Sequence, residues 1–128
     1  MIDLNVYQTL VYTKLKELSK ELDISIYDKV PANAKFPFII LAGFSFEDGL
    51  TKDYNCLLID QKFEIWSDYN GKKEINTITT KAYEKLNELH GAELNDSLAI
   101  DTINLMPSTV DEVEGFFNAN LNVQFEIL

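Results

Sequence analysis

Apolar and polar residues alternate along this chain with two periods, and residues 56 to 89 carry both in succession. From Cys56 to Trp66, the residues Leu57, Ile59, Phe63 and Ile65 share one parity, while Asp60, Lys62 and Glu64 take the other. Successive side chains leave a strand on opposite faces, so this alternation predicts a half-buried strand. After the polar turn SDYNG, residues Ile75, Ile78, Ala82, Leu86 and Leu89 recur at spacings of three and four. That spacing gathers them on one stripe of a helix beginning near Gly71. Strand and helix then present apolar faces that can pack together across the turn. Ser67, Asp68 and Asn70 are candidate helix caps. Lys72 and Lys73 fit poorly at the positive end of a helix dipole and leave the helix start open.

The same patterns extend to the rest of the chain. Residues 4 to 22 read as a helix capped by Asp3, with a stripe of Val6, Leu10, Leu15, Leu18 and Leu22. Asp23 breaks it, and residues 24 to 27 form a short alternating strand. The connector DKVPANAKFP contains two prolines and is irregular or extended. Residues 38 to 46 form a strand with Phe38, Ile40, Ala42, Phe44 and Phe46 on one face and Ile39 and Leu41 on the other. Its start is apolar on both faces and predicts a covered position. Glu47-Asp48-Gly49 signals a turn, and residues 47 to 54 form a projecting loop between antiparallel strands.

His90-Gly91 stops the second helix, with histidine in the role of a C-terminal cap. Residues 98 to 106 make an imperfect strand: Leu98 and Ile100 share one parity, Ile103 and Leu105 the other, so a bulge is expected between them. PSTVDEVEG, from Pro107 to Gly115, reads as an acidic loop. The final strand has the clearest alternation, Phe117, Ala119, Leu121, Val123, Phe125 and Ile127 against Asn118, Asn120, Asn122, Gln124 and Glu126. Its polar face is solvated or meets a neighbour. The predicted fold is α+β: two helices on one face of a largely antiparallel five-stranded sheet, in the order α-β-β-β-α-β-β. Residues 1–128 make a single domain.

Composition changes this picture mainly through charge. Twenty-one acidic residues face 11 lysines, with no arginine, for a net charge of −10. Arginine is the preferred residue for bidentate phosphate and base contacts, so tight nucleic-acid binding is not expected. The longest apolar runs are too short to span a bilayer, and Met1 to Leu10 shows no export signal, so no membrane association is expected. One cysteine excludes an internal disulfide.

The search for chemistry finds no set that works together. His90, the only histidine, has no evident orienting acid or nucleophile. Cys56 opens a strand with no cation nearby to activate it. Asp111, Glu112 and Glu114 lack the spacing of a calcium loop. No catalytic residue, cofactor or metal is expected, and the chain reads as a non-enzyme.

Taken in order, several local patterns resemble the tail-completion or tail-terminator (tail-to-head joining) proteins of long-tailed bacteriophages. They are "IxIYD" at 24 to 28, "FPFIIL" at 36 to 41, the Asp- and Gly-bearing segment at 47 to 55, "FEIWSD" at 63 to 68, the helix from about Gly71, and "VQFEI" at 123 to 127. The resemblance implies a structural role in the virion tail or neck, assembled in the host cytoplasm. A ring, typically hexameric, would cap the head-proximal end of the tail tube, end its growth and join the capsid connector. The partners implied are further copies of the chain, the tail-tube protein and the head-tail connector protein. Contact residues expected at the borders of the core are Phe46, Glu47, Asp48, Gly49, Leu50 and Tyr54 before it. Pro107, Asp111, Glu112 and Glu114 are expected after it. Acidic residues among these would face a lumen that DNA passes without adhering. The other readings left open are a neck component that binds the connector alone, and an acidic DNA-mimic inhibitor.

Overall fold

The first helix begins where its cap predicts. In the computed structural model, which describes residues 2–50 and 55–128, α1 spans Leu4–Leu22 and the Asp3 side chain accepts from the Asn5 amide. Asp23 ends it in the left-handed region at φ 52°. The remaining elements are β1 (Ser25–Tyr27), β2 (Phe38–Leu50), β3 (Asn55–Ser67), α2 (Lys73–Asn87), β4 (Ile100–Leu105), β5 (Thr109–Val113) and β6 (Phe116–Ile127). The class is α+β, with both helices on one face of the sheet. The sheet has six strands where five were expected, because the supposed acidic loop contains β5.

Strand order is β1-β2-β3-β6-β4, and β5 lies beside the other end of β6. β1 runs parallel to β2, and the remaining pairings are antiparallel. The long partners β3 and β6 form the centre in unbroken register, from Leu57 opposite Ile127 to Ser67 opposite Phe117. Their helix-side residues Ile59, Phe63, Ile65, Ala119, Leu121, Val123, Phe125 and Ile127 are all buried, as the alternation predicted. Ile75, Ile78, Ala82 and Leu86 close over them from α2, and Leu89 does so from the turn just beyond it.

Two phase readings and one boundary need correction, each because a partner overrides local period. On α1 the buried stripe is Tyr7, Val11, Leu15 and Leu18, while Val6 is exposed and Leu10 and Leu22 are half-buried. Tyr7 turns inward because its hydroxyl donates to Gln61 Oε1 at 2.8 Å, an acceptor available only inside the fold. On β2 an extra residue at Ala42-Gly43 reverses the alternation, so Ile39, Leu41, Phe44 and Phe46 all face the helices. Phe38 and Ile40 therefore lie on the opposite face. Gln61 holds this bulge by donating from Nε2 to the Ala42 carbonyl at 3.0 Å. Finally, β2 runs on through Glu47 to Leu50, and the segment expected to project from residue 47 is strand as far as Leu50. The bulge expected in β4 is present, between Ile100 and Thr102.

The second helix starts without a side-chain cap of its own. Lys72 occupies the cap position, and Ser67 reaches the first turn by donating to Glu74 at 2.6 Å while accepting from the Tyr69 amide. Asp68 and Asn70 do not cap it. His90 lies exposed just beyond the helix, followed by Gly91 at φ 82°.

A lateral charge network ties the two helices. Lys14 contacts Glu17 and Glu88, while Lys85 contacts Glu17, Glu21 and Glu88, at 3.1 to 3.6 Å. The Lys14 hydrogen bond, with Lys85 adding to it, holds the Glu17 carboxyl below its ordinary range. The hydrogen bond to Glu21, with further pull from Glu88 and Glu17, holds the Lys85 ammonium above its own. A depressed carboxylate contributes stability above its unfolded pKa and loses it as pH falls. A raised ammonium contributes below its unfolded pKa and loses it as pH rises. The network therefore stabilises most between roughly pH 5 and pH 10. Lys85→Gln is expected to lower Tm near neutral pH at low salt. The gap to wild type should narrow at about pH 3 and near 1 M salt, where carboxylates protonate and charges are screened. A gap unchanged under both conditions would show that packing of the lysine stem, not charge, is responsible.

Candidate interaction surfaces

Apart from Pro107, which lies beside Asn122 midway along β6, the described border residues fall into two groups at opposite ends of the sheet. Phe46 stands in the row Phe46–Ile59–Phe125–Ile103, whereas Glu112 stands opposite Phe117. Eight residues of β6 separate these rows, about 26 Å at ~3.3 Å per residue. The fold does not bring the two groups together.

At the first end, Phe46 is 46% exposed on the helix-side face. Glu47 and Asp48 are exposed on alternate faces of β2, opposite Leu58 and Leu57. Gly49 is buried opposite Cys56, and a Cβ at this position would run into the Cys56 sulfur. Its role is to make room for that thiol, which is itself buried as a packing residue. The Leu50 backbone pairs with Asn55, and Tyr54 lies outside the described residues.

At the second end, Glu114 and Gly115 form a two-residue hairpin turn, both with positive φ, between Val113 and Phe116. Asp111 and Glu112 are neighbours on a strand and leave it on opposite faces, so they do not converge. Among the described residues no group of acidic, histidine or cysteine side chains is arranged to hold a metal ion. Val113 and Phe116, each 39% exposed, pair across the hairpin, and Phe116 stacks on Phe36 at 4.9 Å. Phe36 in turn meets Phe38, which Tyr27 covers from β1. The doubly apolar start of β2 is thus closed mainly by aromatic residues of this chain.

The asparagine row of β6 is likewise used internally, contrary to the expectation of a free polar face. Asn118 is buried and donates to the Ile65 carbonyl at 3.3 Å. Asn120 donates to Asn118 Oδ1, and Asn122 donates to the Pro107 carbonyl at 2.8 Å. The Asn122 amide also donates to Ser108 Oγ. The two Asn122 bonds fasten the crossover from β4 to β5. Pro107 is exposed at that crossover and borders an open hollow of about 550 Å³ that also includes Gly43, Asp60 and Lys62. Asp60 already accepts from Gln124 Nε2 at 3.1 Å.

One residue was missed on the opposite edge of the sheet. Leu105 of β4 is 54% exposed, the largest exposure among the big apolar residues described. Its parity with Ile103 was legible, but that pattern predicts a buried face; its exposure follows from β4 lying at the rim, beyond the cover of the helices. No helix among the described residues is long and apolar enough to cross a membrane.

Comparison with known proteins adds one finding. No family model matches the chain, and no curated protein matches it in sequence. Among solved structures it is similar to a chain in the virion of a native gene transfer agent (GTA) particle. The TM-score is 0.73 and the identity 17%, over 91% of this chain and 90% of that one. At this identity the likeness establishes the fold, and it does so across nearly the whole length of both chains.

Proposed function

We propose that this protein is a structural component of a phage-like particle that acts by contact and not by chemistry. Within that role, it caps the head-proximal end of the tail tube as a ring, ends tube growth and joins the tail to the capsid connector. The observation that carries the reading is the near end-to-end fold likeness to a chain of a virion particle. The order of local sequence patterns supports the narrower assignment to the tail terminus. The arginine-free chain with its net charge of −10 suits a wall beside passing DNA, because phosphates are repelled and find no bidentate partners.

Removing the gene tests the role. The expected result is capsids unjoined to tails, with tubes that overrun their normal length, seen by electron microscopy. Particles of normal form would overturn it. Separate binding assays against tube protein and connector protein divide this reading from a neck component, which binds the connector alone.

A further inference from the structure

β1 and β5 are edge strands with one partner each, but the open sides that match among the described residues are those of β2 and β4. β1 pairs with β2 no further than Ile40, so from Phe44 to Glu47 the strand has β3 on one side only. On β4, Ile100 is bonded on its outer side to Gly91 and Ala92, but from Thr102 to Leu105 only β6 is adjacent. Both open segments lie at the same end of the sheet and in the same two rows. One row is Phe46–Ile59–Phe125–Ile103, and the other is Phe44–Gln61–Val123–Leu105.

We propose that the β4 edge of one copy pairs with the β2 edge of the next, joining copies of this chain head to tail into a continuous sheet. Three antiparallel steps separate β2 from β4, so the two strands run in opposite directions. A rotation that carries one copy onto the next preserves that relation, and the new pairing is antiparallel. With Phe44 opposite Leu105, Phe46 meets Ile103 on the helix side. On the other side, Ser45 meets Asn104 and Glu47 meets Thr102. Apolar residues thus meet apolar ones and polar meet polar. A shift of one residue opposes the faces, and a shift of two sets Asp48 against Ile103. Phe46 and Leu105, at 46% and 54% exposure, are the residues such a contact would cover. Open edges bearing apolar side chains invite strand addition, and the acidic Glu47 and Asp48 restrict which register is accepted. Closure into a ring rests on the role proposed above; the edge pairing stands independently of it.

Cysteine cross-linking tests the contact in concentrated purified protein, on a Cys56→Ala background. Ser45→Cys and Asn104→Cys proteins are expected to give no cross-link singly and a disulfide-linked dimer when mixed under mild oxidation. The double variant should give a ladder ending at a fixed number if the ring closes. Adding Leu105→Lys to the Asn104→Cys protein should cut the mixed yield about tenfold. Circular dichroism verifies that this variant is folded. Linking of Ser45→Cys protein to itself would overturn the proposal in favour of a symmetric pair. So would the absence of a mixed product. If cross-links form but gene removal leaves particles normal, the edge pairing stands and the tail role fails. If tails are lost but no mixed product forms, the tail role stands and the edge pairing fails.

Discussion

Phe125→Ala is expected to destabilise the fold by about 3–5 kcal/mol. Phe125 is fully buried on β6, between Ile59 of β3 and Ile103 of β4, and meets the Tyr7 ring edge-on at 5.8 Å. It therefore touches the strands on both sides of its own and the first helix. Its removal takes away apolar contact on each side and leaves a cavity that strands held in register cannot close. A domain of this size has a total stability of about 5–15 kcal/mol, so the variant should be largely unfolded on mild warming. Urea titration reads the effect as a large fall in midpoint at nearly constant slope. A shift below about 1 kcal/mol would mean that the layer under α1 can collapse. The exposed Leu105→Ala is the natural contrast and should lie within about 0.5 kcal/mol of wild type.

The second large effect belongs to the buried polar link between α1 and the β2 bulge. Tyr7 donates to Gln61, and Gln61 donates to the Ala42 carbonyl and to its own neighbour's carbonyl at Lys62. No described buried side-chain nitrogen or oxygen lacks a partner. Gln61→Leu leaves both the Tyr7 hydroxyl and the Ala42 carbonyl without that partner, at an expected cost of about 2–4 kcal/mol. Tyr7→Phe strands only the Gln61 oxygen and should cost about 1–3 kcal/mol. The double variant should cost less than the sum, since each single change orphans the other's group. Strict additivity in chemical denaturation would show that the two side chains do not act as a unit. Alkaline pH offers an independent check. Burial pushes the Tyr7 hydroxyl above the ordinary tyrosine range, so the folded state keeps it neutral after the unfolded chain begins to ionise near pH 10. Its contribution is full below that pH and is lost above it. Tyr7→Phe should accordingly show a shallower fall in stability at high pH.

The same network explains where the sequence could be read and where it could not. The stripe of α2 and the apolar face of β6 from Ala119 to Ile127 were legible, because each meets the core with one unbroken face. The polar face of β6 was not, since buried Asn118 bonds within the chain. β2 was not, since its alternation reverses at Ala42-Gly43. Nothing local marks the reversal; the cue is Gln61, a polar residue at a core-parity position of the next strand. Tyr7 displaced Val6 from the buried stripe for the same reason. β5 was hidden because its alternation carries mostly polar residues, and its pairing is supplied by β6 and the Glu114-Gly115 turn. Of the border residues, Phe46 and the acidic positions were legible as exposed or turn-prone. Leu105 was not, because its apolar parity said nothing about lying beyond the helices.

By itself the sequence determined the fold class, both helices, the central strand faces and a charge that disfavours tight binding to DNA. Those properties depend on local period and on composition, which each segment carries wherever it is placed. The tertiary structure alone decided the bulge phase, the sixth strand, the internal use of the asparagine row and the location of the open edges. Each depends on which strand lies beside which, and pairing is a relation between distant segments that no single stretch encodes.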